Sequence, residues 1–299
     1  MANKVYEIVS QKIIAQIEEA IKNGGCAPWR RPWNNANAPQ NYVSQRYYRG
    51  VNLMLLDAGT EYLTWKQLCD LQKNQPDLKL RKGSKSSMVV YFAFQDKQKE
   101  IVNPTSGQLE NKIVKVPFLR YYNVFNVKDV DGLSPHERES YHHSPIVEAE
   151  KIINDYIDRE DTLTLHRNDG QKACYSPLMD RVSVPKMELF ANCTEYYSTI
   201  FHELTHSTGH PKRLNRIKPA MFGDEEYSKE ELVAEIGSSL LCAAVGLDNS
   251  EAADNSISYL YGWLQALRND STLIVSASAK AQKAADYIRG IKPSDSVLD

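Results

Sequence analysis

The chain of 299 residues is 42% apolar and 25% charged, with a net charge of -2; this composition excludes a disordered or fibrous chain, and the length leaves room for two hydrophobic cores. No stretch suggests a membrane span. The five cysteines, Cys26, Cys69, Cys174, Cys193 and Cys242, are scattered without CxxC spacing, so neither a disulfide framework nor a cysteine-built zinc site is supported.

The N-terminus opens directly into an amphipathic pattern, without the apolar segment and cleavage site of a secretory signal, which points to a cytoplasmic location. Val5, Ile8, Val9, Ile13, Ile17 and Ile21 recur at helical spacing before Gly24-Gly25, predicting a helix with a stop. Ala27-Pro-Trp-Arg-Arg-Pro-Trp33 and the Asn-rich run to Asn41 are too rich in Pro and Asn for regular structure and predict an ordered loop. Thr64 to Lys73 reads as a short helix capped by Thr64. Met88 to Phe94 and Ile113 to Val127 read as strands, paired antiparallel through a turn at Asn103-Pro-Thr-Ser-Gly107. Residues 134–145 lose apolar periodicity and carry two Ser-Pro steps; they predict a linker between domains at 1–133 and 146–299, although a long surface loop has the same composition. Beyond them, helices are expected over Ile146 to Tyr156, Glu195 to Ser207, Ser228 to Val245, Gly262 to Arg268 and Ala277 to Ile288, with a short strand at Asp180 to Pro185. The fold class expected is α+β, with a small α+β first domain and a mainly helical second domain carrying a short sheet.

The Glu195 helix contains His202-Glu-Leu-Thr-His206. Residues four apart share a helix face, so the two imidazoles can meet one cation, with Glu203 beside them as the catalytic carboxylate that activates a water. That is hydrolytic chemistry, with zinc the expected ion and manganese or another divalent ion the alternative. So short a pattern also arises by chance on ordinary helices. Context favours the site, because Tyr197, Ile200, Phe201 and Leu204 form a core-facing stripe and Gly209 follows the helix. A third ligand is needed. The metzincin position falls on Lys212, which excludes that class, and His210 reads better as a neighbour or surface residue. Glu231 and Glu235 share a face of the next helix; Glu231 is the expected ligand, with Glu235 the alternative, and otherwise Glu235 is the expected hydrogen-bond partner of a ligating His. Ser228 and Glu231 also fit a capping box, which would turn Glu231 back to its own helix start. Val182-Ser-Val-Pro185 suits an edge strand that holds an extended peptide by strand addition.

Residues 1–133 carry 19 Lys and Arg against 12 Asp and Glu, and residues 134–299 carry 17 against 26. An anionic partner therefore belongs to the basic first half. There Trp29, Arg30, Arg31 and Trp33, then Arg46, Tyr47, Tyr48 and Arg49, then Arg81, Lys82 and Lys85 set cations among flat rings or on a basic turn. Arg120-Tyr121-Tyr122 repeats the theme. Single-stranded nucleic acid needs that combination, phosphates pairing with the cations and unstacked bases lying on the rings. In the competing account the rings anchor a core and the charges are solvated.

The order of these motifs resembles the antirestriction protein ArdC family of plasmids and other mobile elements. The matching pieces are Ala27-Pro-Trp-Arg-Arg-Pro-Trp33, Tyr48-Arg-Gly-Val-Asn-Leu53, Leu63-Thr-Trp-Lys-Gln67, Arg81-Lys-Gly83, Tyr122-Asn-Val-Phe-Asn-Val127, Ile200-Phe-His-Glu-Leu-Thr-His206 and Glu231-Leu-Val-Ala-Glu-Ile-Gly237. The resemblance implies an N-terminal domain that binds single-stranded DNA and a C-terminal zincin-like metallopeptidase domain acting on an unknown protein or peptide. It also implies a role in protecting incoming DNA from host restriction during conjugation. By the same resemblance His202 and His206 are metal ligands, Glu203 is catalytic and Glu231 is the third ligand. Two other readings use the same residues: a DNA-binding protector whose metal is structural, and a metal hydrolase with a non-peptide substrate.

Overall fold

A computed structural model describes residues 2–23, 27–29, 38–102, 109–137, 145–170, 172–217, 225–248 and 257–291. The first half runs α1 (Ala2–Asn23), β1 (Gln40–Asn41), α2 (Asn52–Leu55), β2 (Glu61–Thr64), α3 (Trp65–Gln72), β3 (Lys79–Leu80), β4 (Ser87–Val102), β5 (Leu109–Asn126) and β6 (Val130–Asp131). The second half runs α4 (Pro145–Arg159), β7 (Thr164–Asn168), β8 (Cys174–Ser176), β9 (Arg181–Pro185), α5 (Cys193–Ser207), α6 (Glu225–Val245), α7 (Ile257–Asn269) and α8 (Leu273–Ile288). The α+β class holds.

In the first half a four-stranded sheet has the order β1-β2-β5-β4. Its backbone is the antiparallel pair β4–β5, in register from Ser87 opposite Val124 to Val102 opposite Leu109. The expected turn at Asn103 to Gly107 lies outside the described residues. Thr64 caps α3 as its sequence requires: its hydroxyl accepts the Gln67 amide at 3.2 Å, and the Gln67 side chain accepts the Thr64 amide at 2.8 Å, the reciprocal capping box.

The second half holds a three-stranded sheet of order β7-β9-β8, with β9 parallel to β7 and antiparallel to β8. This corrects the expectation for Val182 to Pro185. Those residues form the central strand, with Val182 and Val184 fully buried, because an alternating valine pair is stabilised by apolar cover that an edge facing a cleft lacks. The edge is β8. A second correction concerns α6, which begins at Glu225, so Ser228 lies inside the helix and the capping-box role for Ser228 and Glu231 falls away.

The apolar stripe of α1 finds its partners far along the chain. Val9, Ile13 and Ile17 share one buried cluster with Leu232 and Ile236 of α6, Trp263 and Leu267 of α7, and Ile274 and Ala277 of α8. Ser10 donates to the Leu267 carbonyl at 3.1 Å. This core draws on both sides of residues 134–145, of which 138–144 lie outside the described residues. A second cluster packs α4, β9 and α5 around Ile153, Tyr156, Tyr197, Phe201 and Leu204; it sets the orientation of the HExxH helix.

Candidate metal centre

Asn192 starts α5 by accepting the Glu195 amide at 2.9 Å, satisfying a backbone donor that the helix itself cannot. Burial of Tyr197, Ile200, Phe201 and Leu204 then turns His202, Glu203 and His206 toward α6 and a cavity. The two helices touch closely at Gly237. A Cβ there would stand 2.5 Å from Thr205 Cγ2 and 2.7 Å from its Oγ1, and Thr205 is pinned in place, fully buried, its hydroxyl donating to the Phe201 carbonyl at 2.7 Å. Gly237→Ala is therefore expected to push α6 off α5, costing about 1–3 kcal/mol of stability and withdrawing Glu231 from the histidines. Thermal unfolding and divalent-ion titration should both show the loss; an unchanged ion affinity would mean that the helix contact does not set the site.

His202 Nε2 and His206 Nε2 stand 3.1 Å apart. The Glu231 carboxylate reaches both, with Oε2 at 3.5 Å from His202 Nε2 and Oε1 at 3.4 Å from His206 Nε2. Donors on a tetrahedral zinc ion, at about 2.0–2.1 Å each, are about 3.3–3.4 Å apart, and the two nitrogens and the Glu231 carboxylate, which turns one oxygen to each nitrogen, are spaced to hold such an ion from three sides. Among the described residues they are the cluster of metal-ligating groups that converges in this way. His210 does not join them, because its Nδ1 accepts the Lys212 amide at 3.2 Å in the turn beyond α5.

The other ring nitrogens are also engaged. Glu235 Oε1 lies 3.4 Å from His202 Nδ1, and Glu230 Oε1 lies 3.4 Å from His206 Nδ1. Carboxylates at Nδ1 orient each imidazole and leave Nε2 to the ion. Glu230 is in turn gripped by Arg216, which donates to its two oxygens at 2.7 and 2.8 Å and to the Thr205 carbonyl at 2.8 Å. Neither Glu230 nor Arg216 was legible as a site residue. The available signal was a third carboxylate, adjacent to Glu231, on a helix facing two histidines.

Burial favours neutral imidazoles, but the carboxylates of Glu231 and Glu235 outweigh it and hold His202 well above the ordinary histidine pKa. The carboxylates of Glu230 and Glu231 raise His206 as well. Burial pushes Glu231 up, yet the two histidines hold it well below the usual carboxylate range. The centre thus favours positive charge among carboxylates, and a cation placed there displaces protons.

A cavity of about 400 Å³ opens onto the centre, lined by Glu203, Glu231, Cys174 and Tyr175 of β8, Lys229 and Lys280. Glu203 is 8% exposed. The site is therefore a pocket with a carboxylate in its wall and a sheet edge beside it.

The residues expected to meet DNA are dispersed. Trp29 is 3% exposed within the core, so its ring packs and offers no face to a base, while Arg30, Arg31 and Trp33 lie outside the described residues. Arg46 and Tyr47 are exposed. Tyr48 is half-buried, edge-on to Tyr62 with ring centroids 6.4 Å apart, and Arg49 pairs with Asp286 of α8. Arg81 is tied to Asp131 at 3.0 Å and to the Lys128 carbonyl. Lys82 and Lys85 are exposed around Gly83, whose φ of +91° suits glycine alone. Trp65, 55% exposed, is an open ring that the basic-aromatic pattern did not single out.

A helix carrying HExxH, completed by a glutamate from the next helix and flanked by a short sheet, is the architecture of a zincin-like metallopeptidase domain, and residues 153–280 match that family. Residues 3–125 match the N-terminal domain of anti-restriction factor ArdC. The chain belongs to the ArdC antirestriction family. Crystal structures of the antirestriction ArdC protein from plasmid R388 align at 30% identity, the metal-free form with a TM-score of 0.68 over 96% of this chain and 97% of its own. The Mn(II)-bound form aligns with a TM-score of 0.69 over 97% and 98%. The uncharacterized protein y4eC of Sinorhizobium fredii is 31% identical over 95% of this chain and 91% of its own length. A DNA primase TraC of Escherichia coli is 30% identical over 95% of this chain, which spans only 20% of the primase.

Proposed function

We propose that the protein is an antirestriction factor in which residues 1–133 bind single-stranded DNA and residues 146–299 cleave a peptide bond at the HExxH centre, within the cytoplasm. The convergence of His202 Nε2, His206 Nε2 and the Glu231 carboxylate, whose two oxygens lie 3.5 and 3.4 Å from the two nitrogens, carries the metal part of this reading, and the Mn(II)-bound R388 relative supports a divalent ion. When bound, zinc or manganese would supply Lewis acidity, polarising a carbonyl and acidifying water. Glu203 then takes the proton of the attacking water and delivers it to the leaving amine. The outer edge of β8, bordering the cavity through Cys174 and Tyr175, holds the substrate backbone by strand addition. Among the described residues no helix is long and apolar enough to cross a membrane.

Glu203→Gln tests the catalytic part. The variant is expected to keep its ion, since Glu203 is not among the converging donors, and to lose about a hundredfold or more in cleavage of an unfolded protein such as casein. Equal cleavage by variant and parent refutes the role of Glu203. In a restriction-protection assay, full protection by the same variant would assign protection to DNA binding alone.

A further inference from the structure

A second cavity, of about 420 Å³, lies between the two halves of the chain, lined by Tyr6 of α1, Phe92 of β4, Thr272, and Ser276, Lys280 and Lys283 of α8. Tyr6 and Phe92 pack against the core from one side and remain partly exposed. The polar groups are hydroxyls and ammonium groups, and among the described residues none of the lining is acidic. Two further observations place this cavity along a path. Lys280 also lines the metal cavity, and the loop carrying exposed Arg46 and Tyr47 is docked on α8 through the Arg49–Asp286 pair and a hydrogen bond from the Gly50 amide to Gln282 at 3.2 Å.

We infer that the cavity between α1, β4 and α8 is a nucleotide subsite for single-stranded DNA, in which a base lies against Tyr6 and Phe92 while the adjoining phosphates meet Lys280 and Lys283. The inference rests on the proposed binding of single-stranded DNA and adds that the second half of the chain supplies part of the contact. Flat rings beside cations suit any base, since each has a π-face, whereas an acidic peptide would use the lysines and leave the rings idle. The Ser276 hydroxyl supplies a donor that a phosphate or a base edge can accept from, while the Thr272 hydroxyl donates to Asp270 at 2.7 Å. A strand seated there runs past Lys280, along the rim of the metal cavity, and so brings bound DNA next to the centre that acts on protein.

The test uses the full chain and a fluorescent oligothymidylate containing 5-iodouracil. The lysines are exposed or partly exposed on a helix, so Lys280→Ala/Lys283→Ala should fold normally. Its plot of log affinity against log salt is expected to be shallower by about 1.4, the value for two single-strand phosphate contacts, and photo-cross-links in the parent should map to Tyr6 or Phe92. If the parent binds but the slope is unchanged in the double variant and cross-links fall only on residues 46–49 or 81–85, the subsite is wrong and DNA binding stands. If the parent fails to bind at low salt, the DNA-binding proposal and this inference fall together.

Discussion

Glu231→Ala is expected to leave the protein essentially free of bound divalent ion, whereas Glu235→Ala should weaken binding only about 10–100-fold. The difference follows from which nitrogen each carboxylate faces. Glu231 reaches Nε2 of both histidines, at 3.5 and 3.4 Å, so its loss removes one of three converging donors and leaves two, too few for a zinc site of the usual kind. Glu235 approaches the opposite nitrogen of His202, at 3.4 Å, where it orients the ring without touching the ion. Glu230→Ala belongs with Glu235 in its effect on affinity but carries an added cost. It strips the partner from Arg216, whose side chain is 7% exposed, and a buried charge left unpaired destabilises the fold. Ion content after dialysis, ion titration and a melting curve for each variant separate these effects. Full occupancy in Glu231→Ala would reverse the order of the two glutamates.

The longer helices were legible because each buries a stripe with a period of 3.6, whereas the four-residue α2 is too short to show one. Val5 to Ile21, the Tyr197 to Leu204 stripe and the Thr64 cap all form as their spacing requires, and the β4–β5 pair follows from two long β-branched and aromatic runs. What an amphipathic stripe does not name is its partner. Nothing in α1 says that it packs on α6, α7 and α8, because burial is non-directional. For the same reason Trp29 reads equally well as a stacking platform and as a core residue, and its 3% exposure decides for the core.

Short strands were the least legible elements. β7 and β8 have five and three residues, too few for alternation to rise above chance, so β9 was assigned as an edge although β8 covers it. Within the site, His202, Glu203 and His206 are fixed by one helix turn, and local spacing is enough to group them. Glu230 and Arg216 are joined across 14 positions, a separation that no helical spacing rule covers. Residues that touch the ion are held by a short-range rule, while those that orient the ligands depend on the whole fold.

That dependence is strongest at Arg213, and Asp180→Asn is expected to destabilise the second half by about 3–5 kcal/mol at neutral pH. The Arg213 side chain is 1% exposed and binds four segments at once. Its Nε donates to the Ser207 carbonyl at the end of α5 at 2.7 Å, Nη1 to Glu160 at 3.3 Å, and Nη2 to Tyr175 of β8 at 3.1 Å. Asp180 supplies the balancing charge, accepting from Arg213, from Thr162 at 2.5 Å and from Tyr175 at 2.8 Å. Asparagine tolerates the left-handed backbone, φ +45°, that Asp180 adopts, so the substitution removes charge without adding strain. Burial pushes the Asp180 carboxyl up, but the hydrogen bonds from Arg213, Thr162 and Tyr175 outweigh it and hold it far below the usual range. The folded state therefore binds this proton more weakly than the unfolded chain, whose aspartates titrate near about 3.9. The stabilisation is complete above that value and is lost as pH falls below it toward the folded value. Denaturant unfolding of parent and variant should accordingly differ most at pH 7 and converge in acid; equal stability at pH 7 would show that the pair offsets only its own desolvation. Because Tyr175 lines the metal cavity while no ligand belongs to this network, the variant should retain its ion and, in the proposed peptidase reaction, lose substrate binding through a loosened β8.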